Sequence, residues 1–324
     1  MRKLAVLVVV VVAGCDNHTT LSTDPSRGEM GRAELAWDHG ALGCLFGCDA
    51  SAPMAARARA TLLVLNDEEL PALTVSSEDP AVAEFSYQSG GYVGVDSHAA
   101  GRVRLVLSDA ATGETIDRFA IEVHDVAAIE AYRPEHLGRV LVMSGGGVIL
   151  SLTLRDADDE AMVGVGGVDY ALEGGLTEAQ VGLAEAIADA FAQALVGASE
   201  ELDLLVADTG EGNVRVTAPS GATLSLPFAV VGPEVVSEVT VTAPDGLDVG
   251  WSSNFQANAY ATGHERVHSP LCAWELTEIQ GGVELSSMSR DTLWVTSSAP
   301  GSAVGRCTIN GVIGQATVVV ADQP

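Results

Sequence analysis

Residues 264–268 read His264-Glu265-Arg266-Val267-His268. On a helix this spacing would set both imidazoles on one face to hold zinc, with Glu265 polarising a bound water for peptide hydrolysis. The surroundings oppose a helix. Gly263 stands just before the motif, Pro270 follows two residues after it, and the flanks 255–260 and 272–274 read as strands. No third histidine follows, and Glu284, which could be offered as a third ligand, lies in a stretch without helical pattern. The segment is expected to be a surface hairpin, with no catalytic residue and no resident metal. Two acidic stretches, Asp156-Ala157-Asp158-Asp159-Glu160 and Asp208-Thr209-Gly210-Glu211-Gly212-Asn213, offer oxygens of the kind calcium takes. Neither closes the EF-hand frame with a glutamate, so both read as solvated turns. Calcium stays open as a ligand, and no cofactor is expected otherwise.

Other chemistries lack their residues. Ser144-Gly145-Gly146-Gly147 has no lysine and reads as a turn before a strand over 148–154. There is no G-x-S-x-G elbow and no C-x-x-C-H haem site.

The chain begins with Arg2 and Lys3, an unbroken apolar run over 4–12, and small residues at Ala13 and Gly14. This is a signal-peptide layout, too short in its apolar part to span a bilayer. The junction Val12-Ala13-Gly14-Cys15 resembles the lipobox of bacterial lipoproteins. That resemblance implies cleavage after residue 14 and acylation of Cys15, palmitate included, which would hold the chain firmly on a membrane. Residues 15–30 are polar and read as a flexible tether. The expected location is the cell envelope, with the outer membrane or cell surface favoured over the inner membrane. Four other cysteines remain, Cys44, Cys48, Cys272 and Cys307, and an even number in an exported chain suggests two disulfides. Proximity favours Cys44 with Cys48 and Cys272 with Cys307 among the pairings.

The net charge is −28, and losing Arg2 and Lys3 would take it to −30. Lys3 is the sole lysine, so every later basic residue is arginine. Such a surface repels nucleic acid and anionic headgroups, which excludes DNA and RNA as expected partners.

The length suits two or three domains, and one pattern recurs about every hundred residues. An alternating strand opens near a glycine, a turn follows at Thr112-Gly113, Ser220-Gly221 or Asn310-Gly311, and a second strand closes. The strand pairs cover 100–107 with 119–123, 212–217 with 224–231, and 301–309 with 316–320. Period-two alternation around turn residues predicts hairpins. One helix is expected at about 178–196. Thr177-Glu178-Ala179-Gln180 fits a capping box, Leu183, Ile187, Phe191 and Leu195 recur every four residues, and Gly197 stops the run.

The stretch from Leu73 through Ser76-Ser77-Glu78-Asp79-Pro80-Ala81-Val82-Ala83, followed by Ala99-Ala100-Gly101, resembles the bacterial immunoglobulin-like domains of group 2. Val239-Thr240-Val241-Thr242, Gly263, Val267 and Trp274 resemble the same family more loosely. The resemblance implies an all-β chain of tandem immunoglobulin-like sandwiches: 31–125, then 126–232 carrying the helical insertion, then 233–324. Cys272 with Trp274, and Cys307 with Ile309, would each share a strand face, so a Cys272–Cys307 bond would staple the third sandwich much as in antibody domains. In that family such arrays serve as stalks, adhesins and spacers. The expected role is thus a lipid-anchored spacer or adhesion module, without turnover, meeting a protein or carbohydrate ligand at the cell surface. Two other readings stay open: a zinc metallopeptidase using His264, Glu265 and His268, and a calcium-dependent adhesin.

Overall fold

The computed structural model describes residues 26–37, 52–65, 70–88, 90–132, 139–173, 181–184, 200–244 and 246–321. Cys15, the tether up to residue 25, Cys44 and Cys48 lie outside the described residues, as do 174–180 and 185–199. Among the described residues the fold is all-β apart from one 3-10 turn at Pro233–Val235, and it divides into two compact units, one ending at His124 and one beginning at Asp125.

The first unit holds β1 (Ser26–Arg27), β2 (Glu34–Trp37), β3 (Met54–Ala55), β4 (Arg59–Val64), β5 (Leu73–Ser77), β6 (Ala83–Tyr87), β7 (Tyr92–Ser97), β8 (Gly101–Asp109) and β9 (Thr115–His124). They form two sheets, ordered β1-β2-β4-β7-β6 and β3-β9-β8-β5. Alternation in sequence becomes alternation in burial: Val93 and Val95 on β7, and Val103, Leu105 and Leu107 on β8, all turn inward. A buried carboxylate fastens the incoming chain. Asp117 on β9 is 0% exposed. Its Oδ1 accepts the Met30 and Arg118 N–H groups at 2.7 and 2.8 Å, and its Oδ2 accepts those of Arg32 and Ala33 at 2.7 and 2.9 Å. These backbone donors make burial of the carboxylate tolerable without a cation.

The second unit begins with β10 (Ala128–Tyr132), β11 (Val140–Met143), β12 (Gly147–Arg155), β13 (Asp169–Glu173), β14 (Val181–Ala184), β15 (Glu200–Val206), β16 (Gly210–Thr217) and β17 (Thr223–Val231). It continues with β18 (Val236–Thr242), β19 (Leu247–Asp248), β20 (Ser252–Ala261), β21 (Arg266–His268), β22 (Ala273–Met288), β23 (Thr292–Ile309) and β24 (Val312–Ala321). One sheet is β10-β12-β15-β14, and the other runs β13-β16-β17-β11-β21-β20-β23-β24-β19, with β18 on β20 and β22 on β23. The three expected hairpins are present as β8–β9, β16–β17 and β23–β24. Each closing strand also carries a short parallel partner, β3 on β9, β11 on β17 and β19 on β24.

Two expectations are corrected. The start of the stretch expected to be helical, Val181–Ala184, is strand β14, antiparallel to β15 with Leu183 opposite Leu204. Gly182 weakens a helix at this point, and β15 offers an edge whose backbone groups need partners. The Cys272–Cys307 bond exists, with Cα atoms 5.2 Å apart, but it joins neighbouring segments of one sheet. Trp274 stands opposite Cys307 in the β22–β23 register, so Cys272, just before β22, reaches Cys307 along the diagonal. With the cysteines 35 positions apart in sequence, closing that loop stabilises the fold by about 4 kcal/mol in the chain-entropy treatment.

The β22–β23 hairpin turns a corner that only glycine permits. The first part of β23 pairs with β20 and the later part with β24. The bend falls where Gly281 and Gly282 face Ala299–Gly301, and a Cβ on Gly281 would meet the Pro300 carbonyl at 1.9 Å, one on Gly301 the Gln280 carbonyl at 2.0 Å. Gly281 also has φ +70°. Gly281→Ala is therefore expected to cost more than about 3 kcal/mol, while Gly311→Ala, at φ +83° with open space around it, costs about 1–2. Urea unfolding followed by tryptophan fluorescence separates the two; equal losses would refute the backbone contact as the cause. In the first unit, Asp117→Asn should cost roughly 2–4 kcal/mol in the same assay, because the amide cannot accept all of those N–H groups.

Candidate functional site

Strand β11 is four residues long and buried on both faces. Val140 and Val142 enter a core with Val148, Leu204, Val206, Val214, Phe228 and Val230. Leu141 and Met143 enter another core, with Val239, Ala257, Ala259, Val267 and Ile309. Alternation along a strand sends neighbouring side chains to opposite faces, so four apolar residues serve two cores. On its edges β11 pairs parallel with β17, Val140 opposite Phe228, and parallel with β21, Leu141 opposite Val267 and Val142 opposite His268. The middle and last parts of the chain are thus welded through one continuous sheet.

The HERVH residues belong to this junction. Thr262 to Glu265 turn the chain between β20 and β21, with φ +87° at Gly263 and +64° at His264, and the His264 N–H donates to the Ala261 carbonyl at 3.1 Å. The hairpin expected from the sequence is present and the helix that zinc chemistry needs is not. His264 projects at the turn, its ring stacked on Tyr260 at 4.3 Å and its Nδ1 3.2 Å from Glu238 Oε2. Glu265 lies 3.6 Å from Arg139, which also pairs with Glu211 at 2.8 Å. His268 is 7% exposed within β21, and Glu284 sits on β22 opposite Thr296. Among the described residues no group of three His, Cys, Asp or Glu side chains is placed to hold a metal ion.

The acidic stretches are also taken up structurally. Asp156 is buried, and its Oδ1 accepts the Asp158 and Glu160 N–H groups at 3.0 and 2.9 Å, locking a turn after β12. In the second stretch, Gly210 to Asn213 form the start of β16.

Arg290 clamps the junction from the β22–β23 turn. It donates to the carbonyls of Ser144 at 3.1 Å, Gly145 at 2.9 Å and Ser269 at 3.2 Å, tying the turn after β11 to the segment after β21. Burial pulls its guanidinium below the usual arginine value, against a weaker upward pull from Asp291. The Leu271 N–H donates to Met143 Sδ at 3.0 Å across the same seam. Beside the clamp lies a cleft of about 450 Å³, lined by Gly147 and Val148 at the start of β12 and by Asn258, Arg266, His268, Ser269, Pro270 and Asp291. Two of its polar residues are tied to neighbouring groups. Arg266 Nη2 donates to Asn258 Oδ1 at 3.0 Å, and the Asp291 carbonyl accepts the Ala257 N–H at 2.8 Å. Gly146 leaves room for the Ser269 side chain, whose Oγ would lie 2.7 Å from any Cβ added there. Sequence reasoning singled out His268 for a different chemistry and missed Asn258, Arg266, Ser269, Asp291 and Arg290. Asn258 meets Arg266 across the β20–β21 hairpin, Asp291 arrives through the pairing of β20 with β23, and Arg290 reaches the turn after β11, so most of the grouping depends on long-range pairing that local spacing does not encode.

No family model matches the chain, and no curated protein matches it. Among solved structures it is similar to domains 4–9 of the surface layer protein SbsC, at 16% identity and a TM-score of 0.31, over 82% of this chain and 42% of that one. It is also similar to FdeC, an Escherichia coli adhesin, at 13% identity and a TM-score of 0.26, over 92% and 99% of the two chains. A third is the Bacteroides ovatus protein SGBP-B, solved with a mixed-linkage heptasaccharide, at 13% identity and a TM-score of 0.30, over 93% and 70%. The chain spans about two-fifths of the SbsC structure it matches.

The clamp yields a direct test. Arg290→Ala leaves the Ser144, Gly145 and Ser269 carbonyls without their charged donor and should lower the stability of the second unit by about 2–3 kcal/mol, read by urea unfolding. A loss below about 0.5 kcal/mol would place the guanidinium among ordinary surface groups.

Proposed function

We propose that this chain is a lipid-anchored protein of the bacterial cell envelope that acts by reach and contact, as a spacer or adhesion module, and carries out no turnover. The observation that carries the reading is β11. A strand shared by two cores gives a stiff double unit suited to holding a surface at a distance, and His268 of the HERVH stretch is taken up in the pairing of β21 with that strand. The sequence Val12-Ala13-Gly14-Cys15 supports the anchor, with Cys15 as the acylated residue at the membrane. A net charge of −28 keeps the exposed part soluble and off nucleic acid, and leaves protein or carbohydrate as the partner class. Placement at the outer membrane or cell surface follows from a role in contact.

Metabolic labelling with palmitate tests the anchor: the wild type should take up label and Cys15→Ser should not. Label retained in the variant overturns the proposed site. The same purified protein should carry no stoichiometric zinc and melt at a temperature unmoved by EDTA or millimolar calcium. One zinc per chain, lost in His264→Ala, would restore the peptidase, and a calcium-dependent rise in melting temperature would restore the calcium-dependent adhesin.

A further inference from the structure

We propose that the cleft beside β21 is a binding site for a single neutral pyranose ring, free or at the end of a glycan. An anchored spacer needs no cavity, so this goes beyond the reading above and rests on it only for where glycans would be met.

The size comes first. At about 450 Å³ the cleft sits toward the small end of ligand sites, room for one ring and not for a long chain. Its position at a seam between two cores is where such sites concentrate. The chemistry comes next. Asn258, Arg266, His268, Ser269 and Asp291 bring both donor and acceptor groups to the lining, and a sugar hydroxyl both donates and accepts. The formal charges of Arg266 and Asp291 balance, in a chain of net charge −28.

Those two charged groups already have partners. Arg266 donates to Asn258, and Asp291 Oδ1 accepts the Thr292 hydroxyl at 3.0 Å and the Ser289 hydroxyl at 3.5 Å. Groups engaged in this way suit dispersed hydroxyl contacts better than a full countercharge, which favours a neutral sugar over a sugar acid or a zwitterion. Val148 and Pro270 supply apolar surface for the C–H face of the ring. The cleft lining holds no Phe, Tyr or Trp side chain, so the affinity is weak, with Kd on the order of millimolar.

Saturation-transfer NMR on the purified mature protein, in a detergent without a sugar headgroup, tests the site. The probes are glucose, galactose, mannose and N-acetylglucosamine, with glucuronate and alanine as charged comparators. At least one neutral sugar should saturate and transfer through its ring protons. Asn258→Ala and Asp291→Asn should each weaken it by roughly tenfold, while tryptophan fluorescence and melting show both variants folded. Asp291→Asn keeps the shape of the side chain, so it carries the test if Asn258→Ala fails to fold. No saturation by any neutral sugar up to about 50 mM overturns the proposal. So does binding indifferent to the folded variants, or glucuronate or alanine binding about tenfold tighter than every neutral sugar. Palmitate labelling would be unaffected by any of these results, so failure here and failure of the anchored-module reading remain distinct.

Discussion

The second unit depends on burying Val140 to Met143 on both faces at once. A strand with one wet face can tolerate polar residues every second position; β11 tolerates none, because Val142 is 0% exposed in one core and Leu141 1% exposed in the other. Full burial of such side chains contributes about 1.5–3 kcal/mol each. Parallel pairing on both edges leaves the backbone of β11 no free edge, as a strand buried on both faces requires. The rest of the junction follows: β21 must lie where Val267 and His268 can pair with it, the turn before β21 must be tight, and the segment after it must return under Arg290.

This constraint explains why a five-residue match to a catalytic motif has no catalytic geometry. A helix over 264–268 would withdraw Val267 from the core, where it is 1% exposed, and would strip β11 of one edge. The glycine corner of β22–β23 and the Cys272–Cys307 bond serve the same end from the other side. They let one long hairpin reach both β20 and β24, and fix the start of β22 close to the seam.

How much of this was legible depended on range. The hairpins could be read because period-two alternation and the Thr-Gly, Ser-Gly and Asn-Gly turns are local, and Asn310 and Gly311 do take positive φ. The cystine partners Cys272 and Cys307 were legible from proximity, but their placement along one sheet was not, since it depends on Trp274 falling opposite Cys307. The four-residue recurrence from Leu183 pointed to a helix, yet Val181–Ala184 pairs as a strand, because the edge of β15 is invisible to a window of sequence. The apolar run Val140-Leu141-Val142-Met143 carried the signal for a strand buried on both faces. What no local reading supplies is the partner on each side, nor the pairing of β20 with β23 that brings Asp291 to the cleft.

The composition takes on meaning in the same frame. With 44 acidic residues against 16 basic ones, 15 of the latter arginine, several cations serve more than one group. The guanidinium fork allows this where a lysine ammonium would act as a single point charge. Arg104 reaches Glu29 and Glu78, Arg139 reaches Glu211 and Glu265, and Arg155 reaches Glu130, Asp159 and the Asp159 carbonyl. Such exposed pairs contribute little one by one. Arg290 differs in kind, because its partners are carbonyls on two segments that meet at the seam, and because partial burial reduces the water that competes for them. Arginine in place of lysine therefore matters most at Arg290, where one planar group holds two turns of the chain in register and so keeps β11 between its two neighbours.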